Sequence, residues 1–91
     1  MAWKIEWDDH ALKDLKKLDK QTQKDIVKYL KTRISTADSP RQFGKSLVGD
    51  KIGLWRYRVK DYRIICKIED DRLVVVVLRT SHRKNVYRLD I

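Results

Sequence analysis

The fold of this chain is decided by residues 54–79, whose sequence is LWRYRVKDYRIICKIEDDRLVVVVLR. Three runs within this stretch, residues 54–59, 62–69 and 72–79, are rich in aromatic and β-branched residues and are separated by polar pairs. Such runs are typical of short strands joined by tight turns. The last run lacks alternation, as expected of a central strand that is covered on both faces. The stretch therefore predicts an antiparallel meander of three strands.

The residues before this stretch predict one more strand and a helical hairpin. Apolar and polar residues alternate through residues 2–7, which is the period of a strand with one buried face. Asp8 and Asp9 offer an N-cap for a first helix with apolar residues at helical spacing. A second helical pattern follows Asp19 and ends before residues 36–40.

The segment between the helices and the meander, residues 38–53, contains the only proline and all three glycines of the chain. With three basic residues among them, this composition predicts a basic surface loop. The element order is then β-α-α-β-β-β, with the helices packed against one sheet, and the sequence contains no internal repeat or linker. We therefore expect a single α+β domain that spans residues 1–91.

The composition argues against several classes of protein. No stretch approaches the roughly 18 consecutive apolar residues of a membrane helix, and the N-terminus shows no secretory signal. We therefore expect a cytoplasmic protein without a membrane partner. Cys66 is the only cysteine, so it cannot form an intramolecular disulfide, and its apolar neighbours predict a buried core thiol.

The charge of the chain indicates a polyanionic partner. Its 22 lysine and arginine residues outnumber 13 aspartate and glutamate residues, which leaves a net charge of +9 on only 91 residues. Excess positive charge attracts nucleic acid, ribosomes and anionic membranes alike, and it specifies no chemistry. Particular residues have to supply the function.

The hairpin around residues 60–61 predicts a basic face with a defined geometry. A two-residue turn there places Arg58 directly opposite Arg63 in antiparallel register. One face of the hairpin then carries the apolar residues Trp55, Tyr57, Val59, Tyr62, Ile64, Cys66 and Ile68, and the other carries Arg56, Arg58, Arg63 and Lys67. Like charges across an antiparallel pair are destabilising, so an anion between them, most naturally a phosphate, explains the pattern. The alternative is a solvated face whose arginine stems cover apolar neighbours.

The segment after the last predicted strand, residues 81–88, combines groups that suit phosphoryl chemistry in the sequence SHRKNVYR. A histidine can act as general acid or base near neutral pH, a tyrosine can stack on a base, and arginine stabilises a phosphorane-like transition state. Taken alone, His82 is more often an exposed tail residue than a catalyst, and Tyr87 fits a core anchor equally well. The sequence lacks metal-ligand spacing, so we expect neither a metal nor a cofactor.

Three parts of the chain together resemble the RelE family of the RelE/ParE toxin superfamily. They are residues 54–64, the valine-rich strand, and His82-Arg83 followed by Val86-Tyr87-Arg88, and residues 3–18 and 44–49 are also similar to that family. The resemblance implies a compact β-α-α-β-β-β fold and a RelB-like antitoxin that wraps the toxin. It also implies cleavage of mRNA in the ribosomal A site, where the ribose 2′-hydroxyl attacks and leaves a 2′,3′-cyclic phosphate without a metal.

The resemblance also assigns roles to residues. Arg63 and Arg83 would hold and stabilise the scissile phosphate, and Tyr87 would stack on or orient the mRNA. Some relatives carry lysine at positions 56 and 58, where this chain has arginine, a poor proton acceptor with a pKa of about 12.5 or higher. We therefore expect both arginines to act electrostatically and His82 to share proton transfer, and the general base stays open. The predicted catalytic residues are Arg58, Arg63, His82, Arg83 and Tyr87, and the predicted RNA-binding residues are Lys45, Lys51, Arg56, Lys67 and Lys84.

Two other functions remain open at this point. A ParE-like toxin shares the fold but inhibits DNA gyrase by protein binding, and fold alone does not distinguish it from a nuclease. A nucleic-acid-binding module would hold phosphates without turnover. The combination of Arg58, Arg63, Arg83 and Tyr87 favours the nuclease, because that set suits phosphoryl transfer.

Overall fold

The computed structural model of this protein describes residues 2–47 and 53–82. Its architecture is that of an α+β protein. Its elements are β1 (Lys4–Trp7), α1 (Asp9–Lys16), α2 (Lys20–Tyr29), a π-helical turn (Leu30–Ile34), a 3₁₀ turn (Pro40–Gln42), β2 (Lys45–Ser46), β3 (Leu54–Val59), β4 (Tyr62–Glu69) and β5 (Val74–His82). The predicted class and element order are confirmed, with one additional strand. In the part of the chain described, no helix has the length and apolar character needed to cross a membrane.

The five strands form one sheet in the order β1-β5-β4-β3-β2. β1 runs parallel to β5, and the other neighbouring strands are antiparallel. β5 therefore lies between two strands, and Val74, Val75 and Val77 within it are buried. The prediction of a central strand from the valine run is confirmed.

The two helices cover one face of the sheet. Asp8 caps α1 by accepting a hydrogen bond from the backbone of His10, and Asp19 caps α2 by accepting one from Thr22. The core that forms beneath the helices comprises Trp3, Ala11, Leu15, Ile26, Leu30, Ile34, Tyr57, Ile64, Cys66, Val75 and Val77. Cys66 is fully buried, as predicted, and burial raises the pKa of its thiol.

The first half of the predicted surface loop at residues 38–53 is mostly exposed, as expected, but it is not irregular throughout. Pro40 is buried, and Lys45–Ser46 pairs with β3 as a short fifth strand. The reason is tertiary: the Tyr57 hydroxyl and the Trp55 Nε1–H each donate a 2.6 Å hydrogen bond to a carbonyl of this segment. These contacts join residues 12 and 17 positions apart, so local composition did not reveal them.

The last strand also lies further along the chain than residues 72–79. β5 runs over Val74–His82, so Ser81 and His82 belong to the sheet and not to a tail. They stay in the strand because β4 begins at Tyr62 and continues to pair with this end of β5.

The hydroxyl of Tyr57 offers a direct test of how the 3₁₀ turn is held. It donates to the Pro40 carbonyl in the core, and burial raises its pKa, so it remains a protonated donor. Replacing Tyr57 with phenylalanine leaves that carbonyl unsatisfied, and we expect the free energy of unfolding in urea to fall by about 1–3 kcal/mol. Tyr29→Phe is the matched control, because the Tyr29 hydroxyl has no hydrogen-bond partner among the described residues. Equal losses in both variants would contradict this account.

Candidate nucleic-acid interface

The hairpin between β3 and β4 has the register predicted from the sequence. Val59 pairs with Tyr62, and Arg58 pairs with Arg63 across the two-residue turn. Lys60 adopts a positive φ of 55° in that turn, as tight hairpin turns require. Two arginines therefore face each other directly across the ladder.

The two faces of this hairpin separate as predicted. Tyr57, Ile64 and Cys66 are fully buried under the helices, and Trp55, Val59, Tyr62 and Ile68 pack against them. Because successive residues of a strand alternate between its faces, Arg56, Arg58, Arg63 and Lys67 lie on the other side of the sheet, which we call the basic face.

The short strand β2 adds a further cation to this face. Lys45 pairs with Arg56, and Gly44, Lys45, Arg56, Arg58 and Arg63 line a cleft of about 240 Å³, which we call the basic cleft. Gly44 has a φ of +76°, and a Cβ atom there would lie 2.2 Å from the Arg56 carbonyl oxygen. Only glycine lets this segment approach β3 so closely, so Gly44 determines the shape of the cleft.

The cations of the basic cleft are not neutralised by the protein itself. In residues 2–47 and 53–82, the side chains of Lys45, Arg56, Arg58 and Arg63 form no ion pair. Arg41, Arg72 and Arg79, outside the cleft, each hold a carboxylate. The Nε–H of Arg58 donates to the Lys60 carbonyl over 3.2 Å, which orients its guanidinium. The cleft therefore concentrates positive charge that is available to bind an anion.

The structure does not bring all the predicted residues together. Lys67 is exposed on the basic face but does not line the cleft. His82 pairs with Tyr62, and their rings meet edge to face at 5.3 Å, so His82 lies on the side of the sheet opposite the arginines. The other predicted residues, Lys51, Arg83, Lys84 and Tyr87, lie outside the described residues.

The basic face also carries Ser81, which the sequence pattern did not indicate as a site residue. It pairs with Arg63 and therefore shares the basic face with it. The pairing of β4 with β5 shifts between Ile65 and Cys66, where an irregularity leaves Leu78 without a partner residue. Counting from the turn does not reveal such a shift, because an extra residue in one strand changes which side chains face each other.

A family model matches most of the chain. Residues 5–87 match the family model described as the ParE toxin of the type II toxin-antitoxin system, parDE. The chain belongs to the RelE/ParE superfamily of type II toxins. The toxin is 30% identical over 88 residues to the Toxin RelG of Mycobacterium tuberculosis, covering 97% of this chain and 99% of that one. The resemblance stated from the sequence is therefore confirmed.

Solved structures support the same fold for the toxin. It superposes on a chain of the Mycobacterium tuberculosis toxin-antitoxin complex RelBE2 with a TM-score of 0.84 and 28% identity, over 91% of this chain and 93% of that one. The isolated E. coli RelE toxin superposes with a TM-score of 0.69 and 21% identity, over 96% and 98% of the two chains. At that lower identity the second likeness shows the fold alone.

Proposed function

We propose that this toxin is a ribosome-dependent endoribonuclease that cleaves mRNA in the A site. The observation that carries the proposal is the pair of like-charged cross-strand contacts in the basic cleft, Lys45 with Arg56 and Arg58 with Arg63. Each pair is repulsive on its own, so a bound anion stabilises both. Guanidinium groups match phosphate oxygens in a bidentate way, which makes a phosphate the preferred anion.

The spacing of the two pairs favours a ligand with consecutive phosphates, such as a nucleic-acid backbone, over a ligand with a single phosphate. Arg56 and Arg58 are two residues apart on one face of β3, which corresponds to roughly 6.8 Å along a strand. Consecutive phosphates of an extended single strand are separated by a similar distance. A nucleic-acid backbone can therefore engage both pairs at once.

The proposed reaction is a transesterification within the RNA, in which a general base takes one proton and a general acid supplies another. The ribose 2′-oxygen forms a bond to phosphorus, the bond from phosphorus to the 5′-oxygen breaks, and a 2′,3′-cyclic phosphate remains. A proton leaves the 2′-hydroxyl and another reaches the departing 5′-oxygen. Arg58 and Arg63 stabilise the charge that develops on the phosphorus oxygens. Since arginine is a poor proton acceptor, these two residues are proposed as electrostatic groups and not as the general base.

The remaining predicted roles rest on different support. Those of Arg83 and Tyr87 rest on the family resemblance alone. The role in proton transfer proposed for His82 lacks geometric support, because its pairing with Tyr62 places it across the sheet from Arg63. Lys67 and the lysines at 51 and 84 are proposed as outer contacts to the RNA backbone. A ribosomal target would also place the toxin in the cytoplasm.

We also propose a RelB-like antitoxin as the cognate partner. The similar structures include the toxin-antitoxin complex RelBE2 of Mycobacterium tuberculosis and the intact RelBE complex of E. coli. An apolar groove of about 470 Å³ on the helical hairpin offers a docking surface, lined by Leu15, Gln23, Lys24, Val27, Lys28, Lys31 and Thr32. Its apolar floor and lysine rim suit an amphipathic helix with acidic flanks.

Reversing the charge of the groove rim tests the antitoxin proposal. We expect the double variant Lys24→Glu/Lys31→Glu to bind the co-expressed candidate antitoxin about tenfold more weakly in calorimetry, because rim charges set electrostatic complementarity. The control is Lys13→Glu/Lys16→Glu on α1, where both lysines are exposed and outside the groove. An unchanged affinity in the first variant would remove the groove from the proposal.

A ParE-like activity is the second candidate, and the description of the matching family model favours it. Toeprinting of mRNA on programmed ribosomes, with gyrase supercoiling assayed in parallel, distinguishes the two. We expect wild-type toxin to cut mRNA in the A site and to leave supercoiling unaffected. Intact mRNA together with blocked supercoiling would establish gyrase inhibition in place of the nuclease.

A further inference from the structure

The end of β5 needs support that the neighbouring strand does not supply. β1 stops at Trp7, which pairs with Val77, and the Asp8 N–H then donates to the Val77 carbonyl over 2.9 Å. From there the chain turns away into α1, whereas β5 continues to His82. Among the described strands, none pairs with this outer edge of β5 beyond Val77. The part of this edge that has no neighbouring strand begins directly after Val77, where the pairing of β5 with β4 is also irregular.

A carboxylate from α1 takes the place of the missing strand. Asp14 Oδ2 accepts hydrogen bonds from the Thr80 backbone N–H at 3.1 Å and from Arg79 Nε at 2.8 Å, and Asp14 Oδ1 lies 3.4 Å from the Arg79 guanidinium. The Asp14 side chain is only 14% exposed and that of Arg79 only 30%. Partly buried, charge-assisted hydrogen bonds are stronger than surface ion pairs. One side chain therefore holds two consecutive residues of β5, directly after the irregularity.

We propose that Asp14 is a positioning residue that keeps the end of β5 in register with β4, so that Ser81 stands beside Arg63 on the basic face. This inference rests on the proposed nuclease function. Thr80 pairs with Ile64 and Ser81 with Arg63, and a slip of one residue moves every side chain to the opposite face. By holding the Thr80 N–H, Asp14 opposes that slip without touching RNA. In the structure the Ser81 hydroxyl donates to the His82 carbonyl over 3.3 Å. A phosphate oxygen held by Arg63 would replace that carbonyl as the acceptor of the same neutral donor.

The test compares Asp14→Ala and Asp14→Asn with Asp9→Ala. Asp9 is exposed on the same helix and, within the described residues, its side chain makes no hydrogen bond or ion pair, so it controls for the loss of an acidic residue from α1. The first readout is amide hydrogen exchange at Thr80, which needs no activity. The second is the separate determination of kcat and KM for mRNA cleavage on programmed ribosomes.

In Asp14→Ala we expect Thr80 exchange to accelerate at least about tenfold, because its amide loses its acceptor. We expect kcat to fall by about 10²-fold, the cost of a small misplacement at a reacting centre, with KM nearly unchanged. Asp14→Asn retains an acceptor for Thr80 but not the charge that binds Arg79, so its kcat should lie between those of wild type and Asp14→Ala. If Asp14→Ala folds poorly, the intermediate kcat expected for Asp14→Asn still tests the inference.

Three results would overturn the inference: a wild-type kcat in Asp14→Ala, unchanged exchange at Thr80, or an equal loss of kcat in Asp9→Ala. A wild-type toxin that leaves mRNA intact would be a different failure. It would refute the proposed nuclease and with it the catalytic role of Asp14, whereas exchange at Thr80 would still report whether the carboxylate holds the strand.

Discussion

Replacing Arg63 with alanine will lower the rate of A-site mRNA cleavage by about 10²–10³-fold, the cost of removing one preorganised donor to a developing charge. Arg63 lines the basic cleft, faces Arg58 directly and, within the described residues, forms no ion pair. No carboxylate in that part of the chain loses a partner when it is removed, and a repulsive contact disappears, so we expect the free energy of unfolding to stay equal or rise. Loss of activity without loss of stability marks a side chain that acts on the substrate.

Two variants sharpen this prediction, and toeprinting on programmed ribosomes measures all three. Arg33→Ala removes an exposed arginine from the helical layer and should cleave at the wild-type rate. Arg63→Lys keeps the charge but not the planar fork, and we expect an intermediate rate because a lysine cannot bind a phosphate in a bidentate way. If Arg63→Ala cleaves as fast as Arg33→Ala, the basic cleft is not the site of the reaction.

Replacing Gly44 with alanine will destabilise the toxin by about 2–5 kcal/mol and reduce cleavage strongly. A positive φ costs a non-glycine residue roughly 1–2 kcal/mol, and overpacking adds about 1–3 kcal/mol. At Gly44 the new Cβ would meet the Arg56 carbonyl oxygen at 2.2 Å, Trp55 Nε1 at 2.8 Å and Tyr57 Cδ1 at 2.9 Å. Because the nearest atom is backbone, β2 and β3 must separate, which moves Lys45 away from Arg56.

The chain contains a matched control for this change. Gly53 also has a positive φ, of +90°, but a Cβ atom there would have nothing within 4 Å. Gly53→Ala should therefore cost only the backbone part, about 1–2 kcal/mol, and leave cleavage unchanged. Urea unfolding of both variants isolates the steric cost at Gly44, and equal losses of stability would show that the close approach to β3 is unimportant.

Features that depend on neighbours along the chain could be predicted from the amino-acid sequence alone. The two-residue turn at Lys60 and Asp61, combined with the period of two of a strand, predicts that Arg58 lies opposite Arg63, and the structure confirms this pairing. The run of four valines predicted a central strand, and β5 lies between β1 and β4 in the sheet. Both inferences succeed because turn geometry and side-chain alternation are local properties of the backbone.

Features that depend on contacts between residues far apart in the chain became visible only in the folded structure. β2 forms because the side chains of Trp55 and Tyr57 donate hydrogen bonds to carbonyls of residues 40–43, in a segment whose composition predicts a loop. His82 lies across the sheet from the arginines because an irregularity in the pairing of β5 shifts the register. Asp14 binds its partners on β5, Arg79 and Thr80, over separations of 65 and 66 residues. Composition and periodicity report the environment of each residue, but the partners across such separations are set by how the helices and strands pack together.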